Sequence, residues 1–254
     1  MELASIDTFH ILILVLTGLA AGVINTLAGG GSNLSLPALM MFGLPADIAN
    51  ATNRVSVLLQ SLTATRGFHK HKSIPPAAVK DTFFPLLLGG LLGALIASYL
   101  DVTVLKPLLL GTMVAVSLWV VLRSDTKNTG SATQKSCWHS PMAFVSTLMA
   151  GFYGGFVQAG VGFVLIAAFV GVLNYDLLRA NALKVVATLI FTAMALVVFI
   201  ARDQVAWLPG LLLAAGSMLG AQVAVKFAIS IRPKTLKILV LIMTVAASLA
   251  ALLL

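Results

Sequence analysis

Between Gly22 and Pro37 the chain reads Gly-Val-Ile-Asn-Thr-Leu-Ala-Gly-Gly-Gly-Ser-Asn-Leu-Ser-Leu-Pro, a run of glycines and small polar residues inside a long apolar region. Glycine lowers helix stability by about 1 kcal/mol relative to alanine, so Gly29-Gly30-Gly31 predicts a break rather than a continuous helix. A break frees backbone N–H and C=O groups. Lipid cannot satisfy them, so the break is tolerated only where protein or a water-filled cavity surrounds it. A half-helix starting after the glycines turns unpaired N–H groups and a positive dipole end into that cavity. Transporters built with broken helices bind substrate in this way. The competing explanation is close helix packing through small residues.

The rest of the chain fits a membrane setting. It is 59% hydrophobic and 9% charged, where a soluble domain carries about 25% charged residues. Long apolar segments recur throughout, and the alternation of a transmembrane barrel is absent. The expected class is an all-α, polytopic membrane protein. The net charge of +8 reads as basic cytoplasmic loops rather than a nucleic-acid footprint, so no nucleic-acid partner is expected. Cys137 is the single cysteine and cannot form an internal disulfide. No basic stretch precedes Phe9, so the first apolar segment is not expected to be a cleaved signal.

Ten apolar segments can be drawn. They are about 9–28, 32–44, 48–65, 78–100 and 107–122, then 141–158, 163–173, 178–200, 205–228 and 235–254. The second half repeats the first. Gly18-x3-Gly22 matches Gly151-x3-Gly155, Asn25 falls opposite Gln158, Gly29 opposite Gly162, and the turn at Asp47 opposite that at Asp176. Five segments per half would invert the second copy relative to the first. The first two of each half are short enough to be re-entrant, so the count lies between eight and ten. The predicted organisation is an N-terminal repeat over 1–123, a cytoplasmic linker over 124–139 and an inverted C-terminal repeat over 140–254. The loops at 66–80, 123–139 and 230–237 are basic, and those at 101–106 and 202–203 nearly neutral. Positive residues mark the cytoplasmic side, which puts both termini outside.

The run from Gly18-Leu-Ala-Ala-Gly22 through Gly29-Gly-Gly31 to Pro37, then Ala51-Thr52-Asn53, with the glycine-rich second copy at 151–162, resembles the sulfite exporter TauE/SafE family, also called the TSUP family of anion transporters. The resemblance covers essentially the whole chain. It implies a multi-pass protein of the cell (inner) membrane that moves sulfite, sulfonates such as sulfoacetate or taurine, or related organic anions. The second copy departs from the first, reading Ala180-Asn181-Ala182 where the first reads Ala51-Thr52-Asn53.

Candidate substrate-binding residues follow from the breaks and from polar groups near them: Asn25, Gly29, Gly30, Gly31, Ser32, Asn33, Asn53 and Arg54 in the first half, and Gln158, Gly160, Gly162, Asn181 and Lys184 in the second. An intramembrane charge is by default a functional-site hypothesis, and a guanidinium can hold a sulfonate or carboxylate bidentately. The alternative for both cations is snorkelling to an interface, and for the amides interhelical hydrogen bonding. One cation is expected to face the cavity, with Arg54 favoured, and the other to be neutralised or turned away. Asp47 and Asp176 are expected to cap the helices that follow them. His69 and His71 read as part of a solvated loop. No acidic residue lies mid-segment, and no Walker loop, dinucleotide fingerprint or metal cluster is present, so no cofactor, metal or catalytic residue is expected. The function read from the sequence is secondary transport of a small anion, a sulfur oxyanion or organosulfonate first. An organic carboxylate is the alternative, and a membrane accessory subunit or intramembrane enzyme stands further off. Substrate and bilayer are the expected partners, with a homodimer left open.

Overall fold

The computed structural model describes residues 8–122 and 134–230. Over these residues the chain forms nine helices: α1 (Thr8–Leu27), α2 (Ser32–Met41), α3 (Ala46–Lys70), α4 (Pro76–Tyr99), α5 (Val102–Leu122), α6 (Pro141–Phe156), α7 (Val161–Gly171), α8 (Leu177–Ala201) and α9 (Trp207–Ser230). The predicted all-helical membrane class is therefore observed. The tenth segment, near 235–254, lies outside the described residues, as do the terminus before Thr8 and linker residues 123–133.

Local chemistry sets the boundaries. Proline stands at the first position of α4 and of α6, where its missing N–H is harmless. Asp176 caps α8 by accepting from the Arg179 N–H at 2.9 Å. Its counterpart differs: Pro45 is the N-cap of α3, and Asp47 sits in the first turn without a capping bond. The first break, at 28–31, falls on Gly29-Gly30-Gly31, and the second, at 157–160, ends at Gly160 and leaves Gly162 in the first turn of α7. At about 1.5 Å per residue, α2 and α7 reach roughly half of a 30 Å hydrocarbon core. Among the described helices, α1, α4, α8 and α9 are long and apolar enough to cross a membrane.

Small residues decide how the helices pair. A Cβ on Gly22 would stand 2.3 Å from the Ser217 carbonyl oxygen, and one on Gly220 would stand 2.2 Å from the Leu19 carbonyl oxygen, so α1 and α9 are in backbone contact. Gly155 and Gly90 put α6 and α4 in the same relation, at 2.1 Å. For Gly18, Gly22, Gly151 and Gly155 the packing explanation thus holds. The contacts advance in step along both pairs, so α1 runs parallel to α9, and α4 to α6. The Ser56–Ser217 hydroxyl bond (2.8 Å) aligns α3 with α9, and Phe191 against Gly90 aligns α8 with α4.

Two parallel bundles result, α1/α3/α9 and α4/α6/α8, running in opposite directions. Each takes two helices from one half of the sequence and one from the other. They meet where α3 crosses α8, with Ala51 packed near Phe199 at one end and Phe68 near Ala182 and Val185 at the other. The hairpins α1–α2 and α6–α7 enter from opposite ends and turn within the interior. At one end Asp81 accepts from the Ser136 hydroxyl (2.7 Å) and the Cys137 N–H (2.6 Å), beside exposed Lys70, Lys72, Lys80 and Lys135. The opposite end carries Asp47, Asp101 and Asp203.

The lysine-rich end should face the cytoplasm. Native Cys137 is buried, and burial pushes its thiol up to about 11, which keeps it silent toward maleimides. In a single-site labelling assay, Asp101→Cys should react with an impermeant maleimide added outside, and His69→Cys only after permeabilisation. The reverse pattern would overturn the orientation.

Candidate functional site

Gly29 and Gly162, opposite one another in the sequence repeat, touch in space. The Gly162 N–H donates to the Gly29 carbonyl at 3.2 Å. A Cβ on Gly29 would lie 2.2 Å from the Gly162 Cα, and the backbone there has φ +92°. Only glycine fits both demands. Gly160 repeats the left-handed geometry at φ +71°, one residue before α7. The two helix breaks are therefore one structure: two hairpin tips, back to back, inside the protein.

Both hairpin tips expose helix C-terminal carbonyls, and each set meets a cation from the other half. Arg54, fully buried on α3, donates from Nη1 to the Gly154 carbonyl and from Nη2 to the Gly155 carbonyl (2.8 Å), the Phe156 carbonyl (3.3 Å) and Asn50 Oδ1 (3.3 Å). Asn50 adds its own bond to the Phe156 carbonyl at 3.1 Å. These carbonyls belong to the last turn of α6, which has no intrahelical donors for them and carries the negative dipole end. Lys184, equally buried on α8, donates from Nζ to the Asn25 and Thr26 carbonyls, 3.0 Å each, at the end of α1. The Phe199 ring, 5.4 Å from the Arg54 guanidinium carbon, closes that end. Each cation sits little more than a turn short of the middle of its helix, so neither snorkels. The expected division, with one cation facing a cavity and the other turned away, gives way to a reciprocal arrangement. Carbonyls left by a break in lipid must find donors, and the nearest come from the opposite half.

The asymmetry lies instead in the half-helix N-termini. In α7 the first donors are engaged: Val161 N–H on the Gln158 carbonyl (3.1 Å), Gly162 N–H on Gly29, and Phe163 N–H on the Gly160 carbonyl (3.1 Å). The side chains there are apolar, and the Phe163 ring packs on Gly30. In α2 the ladder begins only with the Asn33 N–H on the Gly30 carbonyl (3.1 Å), leaving the preceding N–H groups as the unsatisfied start of the helix. Ser32 and Ser35 flank them. Asn53 fixes both hydroxyls, donating to Ser32 Oγ at 3.0 Å and accepting from Ser35 Oγ at 2.6 Å.

Around this start the amides split into two sets. Asn25 donates to Gln60 Oε1 (2.7 Å), and Gln60 donates to Thr26 Oγ1 (3.1 Å), so Asn25 is held by interhelical bonding. In the second half, Gln158 at φ +65° donates to Thr192 Oγ1 (3.3 Å), while its Oε1 and the Oδ1 of Asn181 are buried without a partner. Amide oxygen and nitrogen positions are interchangeable by a flip, so each orphan is a buried polar contact left open, that of Gln158 within the break itself. Gln60 and Thr192 complete the cluster. Gln60 is not among the candidates drawn from the sequence, although a glutamine among apolar residues is a signal for it. His69 and His71 are exposed, and no group of three metal-ligating side chains occurs among the described residues.

Comparison with known proteins agrees with this architecture. The family model described as Sulfite exporter TauE/SafE matches residues 14–251. A probable membrane transporter protein of Sinorhizobium sp, ORF9, is 32% identical over 94% of this chain and 91% of its own length. A probable membrane transporter protein of Haemophilus influenzae is 28% identical over 91% and 90%. The probable membrane transporter protein YfcA of Escherichia coli K12 is 28% identical over 93% and 87%. No solved structure matches.

Gly29→Ala and Gly162→Ala should each prevent a stable, monodisperse protein from being purified, whereas Gly111→Ala, with nothing within 4 Å of its Cβ position, should behave as wild type. Arg54→Ala should lower thermal stability by about 3 kcal/mol, because it strands buried carbonyls. Arg54→Lys should recover part of this loss, since an ammonium reaches fewer of the acceptors.

Proposed function

The chain belongs to the sulfite exporter TauE/SafE family and is a multi-pass membrane transporter rather than an enzyme, and from that premise we propose that its cargo is a small anion, a sulfur oxyanion or organosulfonate such as sulfite, sulfoacetate or taurine. The observation that carries this reading is a charge imbalance. Arg54 and Lys184 place two positive charges within the buried centre, and among the described residues no acidic side chain lies in the middle of a helix. Helix-end dipoles offset these charges in part. A full compensating charge has to be brought in.

The proposed site is the start of α2 and the groups facing it. The N–H groups around Gly30, Gly31 and Ser32 supply donors with no side-chain charge of their own, as helix N-termini do for phosphate and sulfate. The Ser32 hydroxyl, Asn33 and Asn53 extend the set on one side, and Gln158 and Asn181 offer their orphan ends on the other. Asn25, Gly29, Gly160 and Gly162 shape the backbone. Arg54 and Lys184 act from behind as a positive field rather than as bidentate ligands, which leaves the anion free to depart. The three oxygens of a sulfonate suit a set of donors spread over two sides, and the description of the matched family points to sulfite. The units that would rock about this site are the two bundles, α1/α3/α9 and α4/α6/α8, each drawing helices from both halves of the sequence.

Purified protein should be screened by thermal shift against sulfite, thiosulfate, taurine, sulfoacetate, acetate and lactate. At a hundredfold excess over Kd, a ligand stabilises by about 2.7 kcal/mol. Stabilisation by at least one sulfur anion, and not by sodium, potassium or ammonium chloride, is the expected result. Stabilisation by the carboxylates alone would move the substrate class to organic acids.

A further inference from the structure

We propose that Lys184 is the proton-binding site that couples transport to a proton, its ammonium taking the place that a sodium ion holds in carriers with comparable helix breaks. The proposal rests on the anion-transport reading and adds the coupling ion to it. In such carriers the carbonyls at an unwound helix end are where the coupling cation binds. Here those carbonyls, of Asn25 and Thr26 at the end of α1, are held by Lys184 Nζ at 3.0 Å each. The matching carbonyls at the end of α6 are held by Arg54. Both positions that could take a free cation are occupied by the chain itself.

The two resident cations are not chemically alike. A guanidinium stays charged in a protein, whereas an ammonium can lose its proton. Arg54 is thus a permanent clasp on the α6–α7 hairpin, and Lys184 a reversible one on α1–α2, the hairpin with the open N-terminus.

Among the described residues, the surroundings of Lys184 contain no carboxylate that would fix its charge. Of the helices packed on α8, α7 has no titratable residue, α1 has only His10 near its far end, and α6 has Tyr153, whose hydroxyl donates to the Ala159 carbonyl at 2.6 Å. On α3 the interior charge is Arg54, already bonded to α6, with Asp47, Arg66, His69 and Lys70 towards the helix ends. On α4 the groups are Lys80 and Asp81 near its start and Tyr99 at its end. Arg179, on α8 itself, is exposed and pairs with Asp176 at 3.4 Å.

The cycle balances in charge. With the site open to one side, the Lys184 amine takes a proton from water there and a monoanion binds at the start of α2. The two charges cross as a neutral set. On the other side the anion leaves and the proton returns to water, and the neutral amine, holding Asn25 and Thr26 more weakly, goes back.

One test needs no substrate. Proteoliposomes are treated with phenyl isothiocyanate, which reacts only with neutral amines, at pH 6 and pH 9.5, and Lys184 is quantified by peptide mass spectrometry with exposed Lys106 and Lys226 as controls. Labelling of Lys184 should rise at least tenfold between the two pH values. No labelling at either pH would overturn the proposal, since a group that loads protons must open to water. The second arm measures uptake of methanesulfonate and isethionate, sulfonates with a single negative charge that one proton neutralises. An imposed pH gradient should drive accumulation and a sodium gradient should not. In Lys184→Arg the remaining uptake should lose its dependence on pH between 6 and 9. Sodium-driven accumulation, or an unchanged pH profile in Lys184→Arg, would overturn the coupling role. If wild type moved neither anion under any gradient, the substrate reading would fall, and the labelling result would still decide the case of Lys184.

Discussion

A helix that stops inside a membrane leaves its last carbonyls without donors, and this structure answers that constraint twice with the same device. The final turn of α6 is closed by Arg54 of α3, and the final turn of α1 by Lys184 of α8. Each cation comes from the half of the chain that the broken helix does not belong to. The remaining central features depend on these two clasps. The hairpin tips can stop at mid-depth, Gly29 can meet Gly162 without a side chain between them, and the start of α2 can be left with free donors because the opposite ends are secured.

The exchange goes beyond the cations. The α1–α9 and α4–α6 pairs are the close, glycine-mediated contacts, and each joins the two halves of the sequence. Neither half can bury its first helix alone. This interlocking, together with the buried polar contacts between helices, gives the chain a defined interior. It also confines asymmetry to a small region, where Ser32 and Ser35 on α2 stand against Val161 and Phe163 on α7. The proposed anion site is placed on the α2 side because of that difference.

Much of this was legible in the sequence because the signals were local. Gly29-Gly30-Gly31 and the 151–162 run announced the breaks, and Asp176 announced the start of α8, although Asp47 does not cap α3 in the same way. The pairing of Gly29 with Gly162 was readable as a repeat position and proved to be a contact. What the sequence left hidden was the identity of the acceptors. A helix C-terminus carries no side-chain signature, so nothing near Arg54 pointed to the carbonyls of Gly154, Gly155 and Phe156, a hundred residues away in the chain. Arg54 read as a free ligand because its partners are backbone. Gly216-x3-Gly220, the surface that α1 packs on, was present but unremarkable among many small residues.

The central claim is that an anion enters the junction of the two hairpins and is held by the start of α2 under the field of Arg54 and Lys184. Selenite, a heavier relative of sulfite, makes this visible directly through anomalous diffraction from crystals grown in its presence. The account predicts an anomalous peak within hydrogen-bonding distance of the Gly31 and Ser32 N–H groups. A peak confined to the lysine-rich end near Lys70 and Lys72, with none at the hairpin junction, would contradict it.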